Sequence, residues 1–380
     1  MTEKILIINS SAEKNRLLTK AFKELRQKNF SFSLWSSRER MITDFRRYDL
    51  PAKKVFLGPN LKNGPSILLF LLCLPLFQLK YLFSLGARKL KRQTGLIVCL
   101  GINEKIIITP PARLLGLKIV WLETPELNYR QLNRLLLKIF RLNSRLVKIG
   151  AFNNYLTAQL KNLGCAENKL ESVPPGTKLD GYQENIFNKL ASADGAGYRR
   201  KYFTVGAVTA LNQKQKIEAI FQAVKICQAV IPNIQLIIAG EGEERKNLLW
   251  LAKKMQIENL VWLVGEQEHL KKWLDSFDIF LASGDRLNLD DYGNILEAMA
   301  AGLPVLAPRN IGLEDIVVDN KTGALIEAEN SELLARQIIK LHQDKRLRLF
   351  LGKNGQERVN RFFTLDKMAQ KLEHLFNAVN

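Results

Sequence analysis

Two groups of residues in the second half of the chain have the chemistry to hold a phosphorylated, hydroxyl-rich ligand. The first is Asp290-Asp291-Tyr292-Gly293-Asn294-Ile295-Leu296-Glu297, followed by Ala298-Met299-Ala300-Ala301-Gly302-Leu303-Pro304. Its pattern predicts an acidic loop, a sharp turn at Gly293 and a short helix. The free amides of Asn294, Ile295 and Leu296 would then face a phosphate. The alanines permit close approach to a sheet, Gly302 suits a left-handed stop and Pro304 forbids continuation. Glu297 is out of place among residues of buried type. A carboxylate there costs on the order of several kcal/mol unless it is hydrogen-bonded, so it calls for hydroxyl or cationic partners. The alternative is an ordinary helix with Glu297 facing water, and spacing alone does not separate the two.

The second group is Lys214 and Lys216, which follow a strand-like run ended by Gly206 and are placed to meet a diphosphate. Ala239-Gly240-Glu241-Gly242-Glu243-Glu244 adds a glycine turn after the next strand. Singly, each is equally a plain strand-to-helix turn. Together they gather at the carboxyl ends of strands in one domain, the edge where open α/β sheets bind ligands.

Other chemistries lose ground. The three histidines, His269, His342 and His374, stand apart, and Cys73, Cys99, Cys165 and Cys227 form no Cys-x-x-Cys pair. No metal or other cofactor is expected. A Gly-x-Ser-x-Gly elbow is absent, which weakens the hydrolase class.

The elements that would carry these residues alternate as strand and helix. Lys4–Asn9, Phe30–Trp35, Val55–Gly58, Gly95–Leu100, Leu117–Glu123 and Leu146–Phe152 have the composition of strands. Ser10-Ser11-Ala12-Glu13 has capping-box spacing, with a helix expected through about Gln27. In a nucleotide-binding domain this turn would touch a ligand, but the Gly-x-Gly-x-x-Gly fingerprint is missing. After Val173-Pro174-Pro175-Gly176 and a polar linker over Leu179–Tyr198, a second series begins. It has strands at Tyr202–Val208, Ile234–Gly240, Val261–Gly265, Ile279–Ser283, Val305–Pro308 and Gly323–Ile326, with helices near 213–230, 243–255, 268–276, 293–302 and 330–343. The expected architecture is α/β, with two Rossmann-like, doubly wound parallel-sheet domains facing each other across a cleft. Residues 1–180 form the first, 196–360 the second, and 361–380 a terminal helix returning to the first.

Charge is unevenly placed. The chain carries +20 overall, and residues 1–180 hold 31 Lys+Arg against 12 Asp+Glu, or +19. Arg130, Arg134, Lys138, Arg141 and Arg145 recur at helical spacing. Such a surface points to an anionic partner, membrane or nucleic acid. The apolar stretch Ser66–Phe77 spans 12 residues before Gln78, too short to cross a bilayer. With Arg88, Lys89, Lys91 and Arg92 behind it, an interfacial helix and a buried crossover helix are both open. The N-terminus lacks a signal-peptide pattern, so a cytoplasmic protein is expected.

From about Ala151 onward the chain resembles the retaining glycosyltransferases of family 4, which have the GT-B fold. The segment from Asp291 to Val305 is similar to that family's Glu-x7-Glu region. Val173-Pro174-Pro175-Gly176, Ala239-Gly240-Glu241-Gly242-Glu243-Glu244 and Asn320-Lys321-Thr322-Gly323 match further motifs. The resemblance implies transfer of a sugar from a nucleotide-sugar donor, UDP- or GDP-linked, to a lipid-linked or saccharide acceptor. The location it suggests with the basic half is peripheral, at the inner face of the plasma membrane. Glu297 would bind ribose hydroxyls, and amides after Gly293 the diphosphate. Gly206, Gly240, Gly242 and Gly265 would line the nucleotide site, and Lys214 or Lys216 would neutralise the leaving phosphate. Asp290 or Asp291 would stand near the donor sugar, and Ser10, Ser11 and Glu123 on the acceptor side.

Three departures accompany it. The acidic pair lies seven and six residues before Glu297 rather than eight, the family's basic residue after the strand glycine is Ala207, and the first half has no histidine, leaving Glu123 in its region. The alternatives are an inactive sugar-nucleotide-binding relative and a nucleic-acid-binding protein using the basic half.

Overall fold

Continuous runs of Ile, Leu and Val without polar alternation make strands that must be covered on both faces. The computed structural model of the chain describes residues 3–11, 15–59, 61, 64–125, 129, 132–179, 181–182, 201–212, 214–267, 269–283, 287–309, 312–327 and 330–379. Two units divide it, one comprising Met1–Pro175, Asn288–Asp290 and Leu365–Asn380, the other Gly176–Leu287 and Asp291–Thr364.

In the first unit the order is β1 (Glu3–Asn9), α1 (Arg16–Arg26), β2 (Phe30–Ser36), α2 (Glu39–Arg47), β3 (Ala52–Lys54), α3 (Gly64–Leu90) and β4 (Leu96–Cys99). Then come α4 (Ile102–Ile107), α5 (Thr109–Leu114), β5 (Lys118–Glu123), α6 (Arg134–Ser144), β6 (Lys148–Ala151), α7 (Asn154–Asn162) and β7 (Leu170–Ser172). The seven strands are parallel in the order β3-β2-β1-β4-β5-β6-β7. The direction of winding reverses between β1 and β4, and the crevice at their carboxyl ends is the expected ligand position of such a sheet.

The second unit runs β8 (Phe203–Val208), α8 (Lys214–Gln228), β9 (Ile234–Ala239), α9 (Arg245–Lys254), β10 (Val261–Leu263), α10 (Lys271–Ser276) and β11 (Ile279–Leu281). It continues with α11 (Leu289–Ala300), β12 (Val305–Pro308), β13 (Gly323–Ile326), α12 (Ser331–Gln343) and α13 (Lys345–Phe362). Its parallel sheet has the order β10-β9-β8-β11-β12-β13, with the reversal between β8 and β11. Residues 289 and 290, in the first turn of α11, belong to the first unit. So does α14 (Leu365–Asn377), which buries Leu372, Leu375 and Phe376 there. The Phe376 ring meets Phe30 edge-on at 6.2 Å.

Several sequence expectations shift. The strand expected at Val55–Gly58 lies instead at Ala52–Lys54, and the backbone turns away at Gly58, whose φ is +88°. The apolar stretch expected to end before Gln78 continues as a 27-residue helix, α3, with Pro75 inside it. Pro75 removes only one bond of the helical ladder, and the flanking side chains still pack. The linker expected over Leu179–Tyr198 lies mostly outside the described residues, as does Arg130. All four cysteines are unpaired.

Since Phe376 is fully buried, Phe376→Ala is expected to cost about 3–5 kcal/mol of unfolding free energy. Urea denaturation checks this. A loss below about 1 kcal/mol would mean that α14 does not dock as described.

Candidate functional site

In the second unit β8 continues past Gly206 to Val208, so Gly206 sits inside the strand, not at its end. A Cβ there would fall 2.0 Å from the Phe277 ring, so this glycine serves packing. The chain then turns through Thr209–Asn212 and enters α8 at Lys214, half-buried at the helix's amino end. That end lies on the sheet's carboxyl edge, where the positive partial charge of a helix's amino terminus falls beside a lysine. Lys216 is two residues further along α8, and its side chain is outside the described set.

Glycine turns brace this loop. Gly240 and Gly242 lie so close to Thr209 and Leu211 that a Cβ on either would fall 1.8 Å and 2.3 Å from their backbones. Leu211 N donates to Glu241 O at 3.0 Å, and Gly240 N to Gly265 O at 2.8 Å. Gly265 adopts φ +76°. These three glycines therefore hold the loops after β8, β9 and β10 against one another and shape the edge.

Around Glu297 the expected loop is replaced by helix. Because α11 begins at Leu289, its first turn lies ahead of Gly293. The amides of Gly293, Asn294, Ile295 and Leu296 lie inside the helical ladder, where they cannot hold a phosphate. The stop falls as expected: Gly302 has φ +70°, and Leu303 N bonds Ala298 O at 3.1 Å. Glu297 is half-buried, and the Tyr182 hydroxyl is hydrogen-bonded to it. Tyr182 is itself buried. Burial first, then the charges of Glu297 and Asp275, hold its phenol well above its ordinary pKa, so it stays a neutral hydroxyl. Gln356 Nε2 donates to Tyr182 O at 3.3 Å and Ala300 O at 2.8 Å, tying this turn to the end of α11. Sequence reasoning placed Tyr182 in a linker, and nothing in its neighbours signals the Glu297 contact.

Within the first unit, Asp290 accepts from Arg16 N at 3.1 Å and Leu17 N at 2.9 Å. Burial raises its pKa and those two amides pull it back. This carboxylate thus caps α1 instead of standing free for a sugar, and Asp291 follows it, half-buried, in the same turn of α11. Ser10 does not cap α1, which starts six residues later. Its hydroxyl and amide instead donate to Glu104 at 2.5 Å and 3.0 Å, and Gly101 N donates to the same carboxylate. The Ser10–Glu104 contact thereby bridges the crevice between β1 and β4. Ser11 N donates to Asn9 Oδ1 at 3.0 Å.

Glu123 is fully buried and cannot touch an acceptor. It pairs with fully buried Lys105 at 2.9 Å and accepts from the Tyr129 hydroxyl. Lys105 also donates to Leu122 O at 3.2 Å. Burial raises the pKa of Glu123, opposed by Lys105, and raises that of Glu104, opposed by its hydrogen-bond donors. Sequence reasoning missed Glu104 and Lys105, although two charges inside the apolar run Ile102–Ile108 were a usable signal. Among the described residues no cluster of His, Cys, Asp and Glu could hold a metal.

Tandem doubly wound sheets with braced loops on the carboxyl edge of the second define a two-domain, Rossmann-like ligand-binding architecture. Residues 194–358, somewhat less than half of the chain, match the glycosyl transferases group 1 family model. The chain is 26% identical over 165 residues to the N-acetyl-alpha-D-glucosaminyl L-malate synthase of Bacillus anthracis, covering 43% of this chain and 42% of that one. It is 32% identical over 130 residues to the lipopolysaccharide core biosynthesis glycosyltransferase LpsE of Rhizobium meliloti, covering 34% and 37%. The matches thus span less than half the length of these relatives. Anabaena HepE, solved in complex with UDP, superposes with a TM-score of 0.77 at 17% identity, over 99% of this chain and 100% of that chain. This likeness shows the fold, GT-B.

The raised pKa of Glu104 has a defined sign. Its contribution to stability is present below the unfolded value of about 4.3 and is lost as pH rises through the higher folded value. Glu104→Gln, which keeps an acceptor without the charge, is expected to hold or raise stability at neutral pH and flatten its pH dependence. Glu104→Ala orphans the Ser10 and Gly101 donors and is expected to cost about 1–3 kcal/mol. Denaturation between about pH 4 and 8 reads both; a parental slope in the Gln variant would show that Glu104 does not titrate differently on folding.

Proposed function

We propose that this protein is a retaining glycosyltransferase that moves a sugar from a UDP- or GDP-sugar to a lipid-linked or polysaccharide acceptor at the cytoplasmic face of the membrane. The observation that carries the reading is Glu297, half-buried within the matched domain and bonded to a hydroxyl. A ribose presents the same kind of partner, so the site needs no new chemistry to accept one. UDP in HepE favours a uridine donor. Acceptors differ among the relatives, from malate to lipopolysaccharide core, and the +19 charge of residues 1–180 favours one presented on an anionic surface.

In the reaction, the bond between the sugar's anomeric carbon and the donor diphosphate breaks. The acceptor oxygen bonds to that carbon on the face the diphosphate leaves, and the acceptor proton passes to a phosphate oxygen. Lys214 and the amino end of α8 meet the charge that develops on the diphosphate, while the bound geometry aligns the acceptor. Ala207 and the sequestered Glu123 favour a second reading, a sugar-nucleotide binder without transfer activity.

A thermal-shift series with UDP-, GDP- and ADP-sugars is expected to raise the melting temperature with one base only. Saturation at about a hundred times Kd corresponds to about 2.7 kcal/mol. Glu297→Ala is expected to abolish the shift and the transfer, and Lys214→Ala to lower turnover about a hundredfold. Parent-like turnover in Glu297→Ala would sink the assignment, and binding without donor turnover would establish the second reading.

A further inference from the structure

Helix α3 is apolar on both faces, and the fold covers one of them. Ile67, Phe70, Tyr81 and Leu85 are buried in the first unit's core. On the opposite side Leu68, Leu72, Leu76, Leu79 and Phe83 are 61%, 70%, 67%, 51% and 70% exposed. At about 100° per residue these five fall within an arc of about 80°, so they form one stripe. Single exposed leucines are ordinary on a protein surface, but a contiguous row of this length marks contact with another apolar phase. The helix has the length and composition of a membrane span, with a mean hydropathy of 1.9 in its 18-residue window.

Its packing decides how it could meet a bilayer. The buried face runs from Ile67 to Leu85, about 27 Å of helix at 1.5 Å per residue. End-on insertion would strip those side chains from the core, whereas lying flat leaves them in place.

Charge decides the occupant. No Asp or Glu occurs between Asp49 and Glu104, and exposed Lys80, Lys89, Lys91 and Arg92 border the stripe. Exposed Arg134, Lys138 and Arg141 lie on α6, which packs on α4 as α3 does, placing all three helices in one layer. An apolar row with a cationic rim fits the boundary between acyl chains and anionic headgroups. A second copy of the chain would bring two +19 halves together and repel.

We infer that α3 is a monotopic anchor, lying in the plane of an anionic bilayer with Leu72, Leu76 and Phe83 among the acyl chains. The inference rests on the membrane location proposed above and adds the anchoring element, its orientation and the lipid class. The full chain is floated with phosphatidylcholine vesicles, with and without about one third phosphatidylglycerol. Flotation is expected with the anionic vesicles, falling about tenfold or more when Leu72→Ser, Leu76→Ser and Phe83→Ser are combined. Phe83→Trp, in the otherwise intact chain, is expected to add blue-shifted emission on those vesicles. Equal flotation of the triple variant, or no blue shift from Phe83→Trp, overturns the inference. So does a dimer in solution that the triple variant dissociates, which would make a second copy the occupant. Nucleoside diphosphate release from the donor, measured without vesicles, reads the transfer reaction separately; its absence with flotation intact counts against transfer and leaves the anchor standing.

Discussion

A parallel sheet has no face that tolerates water, and that constraint organises this chain. Each sheet must be roofed on both sides by helices whose inner faces are apolar. The requirement explains why α14, last in sequence, packs into the first unit, where Phe376 meets Phe30 and Leu375 approaches Gly150. It also explains Ala298 and Ala300, buried on α11, and Ala301, buried just after it, where small side chains let a helix sit close to its sheet. α3 meets the same demand on its inner side, and its outer row of leucines contributes nothing to that roof.

The constraint is also what makes so much of the fold legible. Strands buried on both faces appear as unbroken apolar runs, so β12 and β13 start and end where composition says they should, and most others within one or two residues. α3 is less legible because Pro75, Gln78 and Lys80 interrupt its hydropathy. The helix nevertheless continues, since Lys80 reaches water and Gln78 Nε2 donates to Ile106 O at 3.4 Å. Single-residue polarity is a poor guide wherever tertiary partners satisfy the polar group.

The site is legible in its residue types more than in its contacts. Glu297 stands out because a carboxylate among buried neighbours needs a partner, but the partner, Tyr182, comes from a distant segment with no local pattern. Glu123 has the right position at a strand end, yet Lys105 captures it in the interior. A buried lysine without that carboxylate would be strongly destabilising, so the pair is held by its own desolvation cost. Glycines divide in the same way: Gly206 is required by the Phe277 ring, whereas Gly240, Gly242 and Gly265 are required by loops that cross at van der Waals distance.

The short spacing before Glu297 acquires a physical meaning in α11. Each residue of a helix turns the chain by about 100° and advances it about 1.5 Å. A segment shorter by one or two residues therefore cannot keep an acidic loop and a following helix in their usual relation. Here the acidic pair is drawn into the helix, whose first turn favours negative charge. Asp290 is thereby turned onto the amides of Arg16 and Leu17, where it satisfies donors that Asn15, the residue preceding α1, leaves uncapped. The same change places the start of α11 ahead of Gly293, so the amides of Asn294–Leu296 are taken up in the helical ladder. Glu297 keeps its place on the helix, half-buried and bonded to the Tyr182 hydroxyl, whatever the rearrangement of the residues that precede it.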